Sequence, residues 1–134
     1  MQCHTLQPQS RSPEFYDMCD RLGLLVLDEA FDEWTIRKPQ IKYGYSDSFS
    51  QWSARDLVDF IHRDRNHPCV VIWSAGNEIG DQTAPGGAEV LRKIVEVFHR
   101  EDPTRPVTAA MDNIFNQNGE GSGYVHQPSG CRRI

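Results

Sequence analysis

Hydrophobic positions along this chain fall into two spacings, and the alternation between them predicts its elements. After Ser12, a candidate N-cap, and Pro13, which suits a first helical turn, Phe15, Met18, Cys19 and Leu22 recur at helical intervals until Gly23 ends the run. Leu24 to Leu27 is then a short continuous apolar stretch, as in a buried parallel strand covered on both faces, and it stops at Asp28 and Glu29. Ser53 to Arg65 reads as a second helix with Leu57, Val58 and Ile61 on one side and Ser53 as N-cap, broken by Asn66-His67-Pro68. A second buried strand, Cys69 to Trp73, runs into the polar turn Ser74 to Glu78. Gly87 to Arg100 is the clearest amphipathic helix, with Val90, Leu91, Ile94, Val95 and Phe98 apolar, and Pro106 to Met111 is a third apolar run ending at Asp112-Asn113. Helix, strand, helix, strand, helix, strand in that order indicates α/β architecture: a parallel sheet with right-handed crossovers, either doubly wound or part of a barrel.

Between these elements, residues 31–52 carry Pro39, Gly44 and several aromatic rings without a stable period, and read as one long loop. Beyond about Asn113 the chain turns polar and glycine-rich. With 134 residues, 38% hydrophobic and 25% charged, the chain has the composition of one globular domain. No apolar run approaches the roughly 20 residues that a membrane-spanning helix requires, and no signal pattern opens the chain. A formal net charge of -5 with scattered Arg and Lys offers no basic stripe for a phosphate backbone, so neither membrane nor nucleic acid is an expected partner. Four dispersed cysteines without a C-x-x-C pair favour reduced thiols and a cytoplasmic or unspecialised compartment, and leave localisation otherwise unknown.

In parallel architectures ligands collect at the carboxyl ends of the strands. Asp28 with Glu29, Asn77 with Glu78, and Asp112 with Asn113 all fall there. Neighbouring strands lie about 4.8 Å apart, and one carboxyl beside another resists ionisation. A protonated acid paired with a carboxylate is what glycoside hydrolysis uses, and chemistry alone would pair Glu78 with Glu29. A solvated loop is the plain alternative for any one pair; three pairs in succession argue against it.

The stretch Asp64-Arg65-Asn66-His67-Pro68-Cys69-Val70-Val71-Ile72-Trp73-Ser74-Ala75-Gly76-Asn77-Glu78 resembles the acid/base signature of glycoside hydrolase family 2, the family of β-galactosidases, β-mannosidases and β-glucuronidases. Leu22 to Phe31 is similar to the preceding strand of its (β/α)8 barrel, and Asp102 to Thr108 to the approach to the following one, so the resemblance spans about Ser12 to Asn118. It implies a partial TIM barrel, about strands 3 to 5 with their helices, taken from a retaining enzyme that cleaves β-linked saccharides. Glu78 would be the general acid/base and Asn77 would bond the sugar 2-hydroxyl, with Asp28 and Glu29 as further substrate-binding residues of the rim, Glu29 in a supporting role. The nucleophile, a Glu on the seventh strand, is not reached.

Some β-galactosidase relatives hold Mg2+ with a Glu that Glu33 resembles and a His two residues later, where this chain has Thr35, so no metal is expected. His67 belongs to the signature as a structural bond-maker, whereas His62 and His99 read as surface residues. Trp34 is the expected ring for stacking on sugar, with Tyr43, Tyr45 and Trp52 as further candidates, packing of the loop being the commoner use of such rings. A non-catalytic α/β carbohydrate-binding domain with the same rim is the rival reading.

The ends depart from the resemblance. The family strand before Ser12 reads like N-A-I-R-x-S-H-N-P, which residues 1–11 do not, yet suitable codons for them read one base later permit C-N-A-I-R-S-S-H-N-P. Codons for Tyr124 to Ile134 read in the same way permit T-S-T-N-L-V-D-V-V-G-Y, similar to the sixth strand. The expectation is a single partial domain over 1–134 whose ends, 1–11 and 122–134, are out of frame or irregular. Exposed barrel edges would then favour self-association.

Overall fold

The computed structural model describes residues 11–111 together with the strand Cys3–Thr5. Asp112, Asn113 and the tail from Tyr124 onward lie outside the described residues. The elements are β1 (Cys3–Thr5), α1 (Pro13–Leu22), β2 (Leu25–Glu29), α2 (Ser46–Asp64), β3 (Val70–Asn77), a 3-10 turn (Gly80–Thr83), α3 (Gly87–Glu101) and β4 (Val107–Ala110). All strand pairs are parallel, in the spatial order β1-β2-β3-β4. This is the partial α/β barrel expected from the sequence, with β1 added where the apolar pattern had predicted no element.

Two boundaries differ from the sequence reading, each for a physical reason. The second helix begins at Ser46, not Ser53, so Trp52 lies within α2 and the connecting loop is shorter than expected. Its first two turns are almost wholly polar and are anchored by Phe49, buried against Phe31 and Tyr45. Strand β3 continues past Trp73 to Asn77, because hydrogen bonding to its neighbours extends the strand where apolar side chains have run out.

Helix α1 starts at Pro13 and ends at Gly23, whose φ of 67° is left-handed backbone that glycine adopts without a Cβ penalty. The core lies between the helices and one face of the sheet. Trp73 is fully buried there, with ring centroids 5.6 Å from Phe60 on α2 and 5.7 Å from Phe98 on α3. Its indole donates to Asp102 at 3.0 Å, and Asp102 also accepts from Arg105 at 2.5 Å. Arg105 in turn donates to the Val70 carbonyl at 2.6 Å, so the segment after α3 is fastened to the start of β3.

The register defines which side chains reach the other face. Val26 pairs with Val70 and Leu27 with Ile72, so Val71 is the extra residue of a bulge. Val26 and Val70 face the helices and are buried, while Leu27 and Ile72 face the opposite, lumen side and are only half-buried. Among the described residues no helix is long and apolar enough to cross a membrane.

Candidate active site at the carboxyl end of the sheet

Past this bulge, Asp28 pairs with Trp73 on the helix face and Glu29 with Ser74 on the lumen face. Continued alternation would turn Asn77, three residues after Ser74, toward the helices. A second irregularity intervenes: Ser74 pairs with Thr108 and Asn77 with Ala110, three steps on β3 against two on β4. Ala110 shares the face of Thr108, and so Asn77 returns to the lumen face. Gly76 allows this, since a Cβ there would lie 2.6 Å from the Ile79 side chain and 3.1 Å from the Phe31 carbonyl.

The end of β3 is held from both flanks. Asn77 N–H donates to the Phe31 carbonyl at 3.3 Å, and Glu78 N–H to the Ala110 carbonyl at 2.7 Å. Glu78 has a φ of 50°, the sole left-handed non-glycine residue among those described, a conformation costing roughly 1–2 kcal/mol outside glycine. Its side chain is exposed, Asn77 is half-buried, and Ile79 immediately after is fully buried and anchors the turn.

The other predicted rim residues take different places. Asp28 is buried on the helix side, where it accepts the Tyr16 hydroxyl at 3.0 Å, so the structure places it in the core and not on the exposed rim. Burial, reinforced by the negative charge of Asp64, raises its pKa. Glu29 lies on the lumen face but is also buried, accepting the Ser74 hydroxyl at 2.9 Å. Burial pushes its carboxyl up to about 7, with Asp32 adding to the shift and Ser74 and Lys38 opposing it. Burial is the largest cause of that shift, in place of the carboxyl–carboxyl perturbation expected from strand spacing.

Trp34, expected to stack on sugar, is fully buried and donates its indole N–H to the Ala75 carbonyl at 2.9 Å. It packs the loop onto β3. Tyr45 donates to Asp56 at 2.5 Å and stacks on Phe31, and Trp52 lies under Arg55 on α2. Tyr43, by contrast, is 81% exposed and borders a cavity of about 370 Å3 shared with Asp32, Glu33 and Asp56.

Glu33 serves the loop. Its two carboxylate oxygens accept the backbone amides of Lys38 and Ser46, each at 3.1 Å, and Gly44 passes so close that a Cβ would lie 1.7 Å from Oε1. A magnesium ion would have to compete with two amides for that carboxylate. The hydroxyl of Thr35 donates to Asp81. The donor set therefore does not fit a metal centre at Glu33.

Of the histidines, His67 bonds Asp20 at 2.8 Å and stacks on Tyr16 at the start of β3, remote from Glu78 along the strand. Asp20 also accepts the Cys69 amide at 2.7 Å; burial pushes the Asp20 carboxyl upward, but these bonds outweigh it and hold its pKa low. His62 is exposed and bonds Glu101 at 2.9 Å, whereas His99, expected at the surface, is half-buried.

Sequence comparison decides what this arrangement belongs to. The profile of the glycosyl hydrolases family 2, TIM barrel domain, matches residues 8–122. The chain belongs to this family. It is 39% identical over 138 aligned residues to the β-galactosidase BoGH2A of Bacteroides ovatus, covering 80% of this chain and 16% of that protein. It is likewise 39% identical over 123 residues to a putative β-glucuronidase of Formosa agariphila, covering 90% of this chain and 11% of the relative. A crystal structure of a family 2 member from Bacteroides cellulosilyticus superposes with a TM-score of 0.76 at 38% identity, covering 81% of this chain and 14% of that one. The β-D-glucuronidase of Dictyoglomus thermophilum gives the same TM-score of 0.76 at 25% identity, over 92% of this chain and 22% of that one. This family 2 chain thus spans less than a quarter of the length of these relatives, as a fragment of a glycoside hydrolase catalytic domain.

Missing from the sequence reading were Ser74, Asp81 and the clamp made by Glu33. A buried carboxylate in a short turn just past Glu78 carries no distinctive sequence pattern. For Ser74, the register alone revealed its partner.

Proposed function

We propose that this chain is the central part of a retaining β-glycosidase barrel, with Glu78 as general acid/base and Asn77 as a hydrogen-bonding contact for the substrate saccharide. The observation that carries this reading is the second bulge of β3, which turns Asn77 to the lumen face and leaves the Glu78 carboxyl exposed at the strand end. A positioned acid there would protonate the leaving glycosidic oxygen, and its conjugate base would later deprotonate the water that releases the sugar. The nucleophile would be a Glu from a strand beyond those described, so this chain by itself would not complete a turnover. Buried Glu29, bonded to Ser74, would support the rim from below.

The same reading uses no metal at Glu33, whose oxygens already accept two backbone amides. Reading-frame shifts at residues 1–11 and 122–134 are a further part of the proposal. Nucleotide sequence that fails to spell family strands when read one base later would remove that part.

A chimera tests the catalytic role. Residues 8–122 would replace the matching segment of the Bacteroides ovatus β-galactosidase, and hydrolysis of nitrophenyl β-galactoside would be followed. Glu78→Gln should lower turnover by about 10²–10⁴ for poor leaving groups and by far less for dinitrophenyl galactoside, which needs no proton. Equal turnover in the two chimeras would exclude Glu78 as the acid, and saccharide binding without turnover in either would favour a binding domain.

A further inference from the structure

The turn that carries Glu78 is fastened to the loop after β2 by one buried carboxylate. Asp81 is 2% exposed and lies three residues beyond Glu78. Its Oδ1 accepts the Thr35 hydroxyl, and its Oδ2 accepts the Ile36 amide at 3.0 Å. The two segments touch closely around this tie. A Cβ on Gly80 would lie 2.9 Å from the Ile36 side chain; on the other flank of the turn, a Cβ on Gly87 at the start of α3 would lie 1.9 Å from the Asp81 carbonyl oxygen. A buried carboxylate is costly unless its oxygens are hydrogen-bonded, so removing either donor disturbs the turn itself.

Glu78 needs such a tie. A non-glycine residue at φ 50° persists only where surrounding contacts determine its conformation. On the β4 side that contact is the hydrogen bond from the Glu78 N–H to the Ala110 carbonyl, and in the core it is Ile79. Toward β2, the 3-10 turn Gly80–Thr83 is joined to the loop through Asp81.

We propose that Asp81, with Thr35 as its donor, is a positioning residue for Glu78, holding the Glu78 turn in its left-handed conformation by a direct link between the loops after β2 and β3. Its importance to catalysis rests on the acid/base reading of Glu78, but the link itself does not.

Amide hydrogen exchange and carboxyl-carbon NMR of Glu78 in the full chain test this without any need for turnover. In Asp81→Ala the amides of Glu78 to Gln82 should exchange at least about tenfold faster, while those of Val26 and Trp73 stay within about twofold. Thr35→Val, at an exposed position, should accelerate the same amides by about threefold or more, with Thr35→Ser restoring them. The Glu78 carboxyl-carbon resonance should shift in Asp81→Ala and Thr35→Val and match the unsubstituted chain in Thr35→Ser. Unchanged exchange at 78–82, acceleration spread evenly through the sheet, or a Glu78 carboxyl resonance indifferent to both Asp81→Ala and Thr35→Val would overturn the proposal. Should Asp81→Ala fail to fold, the Thr35 pair decides by the same readouts. Full turnover in the Glu78→Gln chimera would overturn the acid/base reading and leave this result untouched, so the two readings fail separately.

Discussion

Tyr16 on α1 donates its hydroxyl to Asp28 at the end of β2, across 3.0 Å of buried space. The Asp28 carboxyl is also close to Asp64, and burial followed by the charge of Asp64 raises its pKa. Glu29, one residue on, is pushed up to about 7 by burial. A carboxyl whose folded pKa exceeds its unfolded value adds stability that is fully present below the unfolded value and is lost as pH rises through the folded one. The urea midpoint of the chain should therefore fall between about pH 5 and pH 8. Asp28→Asn should flatten part of that fall, and a midpoint that instead rises over this range would contradict it.

Gly76→Ala tests the bulge that aims Asn77. The added methyl would approach the Ile79 side chain to 2.6 Å, and Ile79 anchors the Glu78 turn. Overpacking of this kind costs about 1–3 kcal/mol. A lower urea midpoint, with shifted Ile79 methyl resonances and unchanged Leu91 and Ile94 resonances, is the expected pattern; an unaltered Ile79 spectrum would mean that the bulge has slack.

The thiols of Cys19 and Cys69 are buried, and burial pushes that of Cys69 up to about 12, with Asp20 adding to the effect. Thiolate is the reactive form. Iodoacetamide should therefore leave both unlabelled in the folded chain at pH 8 and label both in urea, as peptide mass spectrometry would show. Rapid labelling of Cys69 without denaturant would indicate local opening at the start of β3.

The lumen face leaves Leu25, Leu27 and Ile72 half-buried, and β1 and β4 each have a free edge among the described residues. Apolar surface next to open strand edges favours association. Sedimentation velocity at tens of micromolar should show species larger than the monomer, reduced by Ile72→Lys. A monomer at every concentration would show that the face is tolerated in water.

Much of this architecture is visible in the sequence because apolar runs and helical spacing follow directly from burial. Leu24 to Leu27, Cys69 to Trp73 and Gly87 to Arg100 fall within one to four residues of β2, β3 and α3. What escaped depends on contacts between distant segments. The first turns of α2 are polar apart from Phe49 and Trp52, and the end of β3 is held through main-chain bonds that leave no mark on side-chain composition. The site divides in the same way. Glu78 and Asn77 follow from a long motif, whereas the inward turn of Trp34 and the helix-side position of Asp28 depend on register and on partners 41 and 12 residues away.

Each strand of the sheet lies beside the one that precedes it in the chain. A nascent polypeptide leaving the ribosome could thus lay down the layers in the order of synthesis, every arriving strand finding its template already in place.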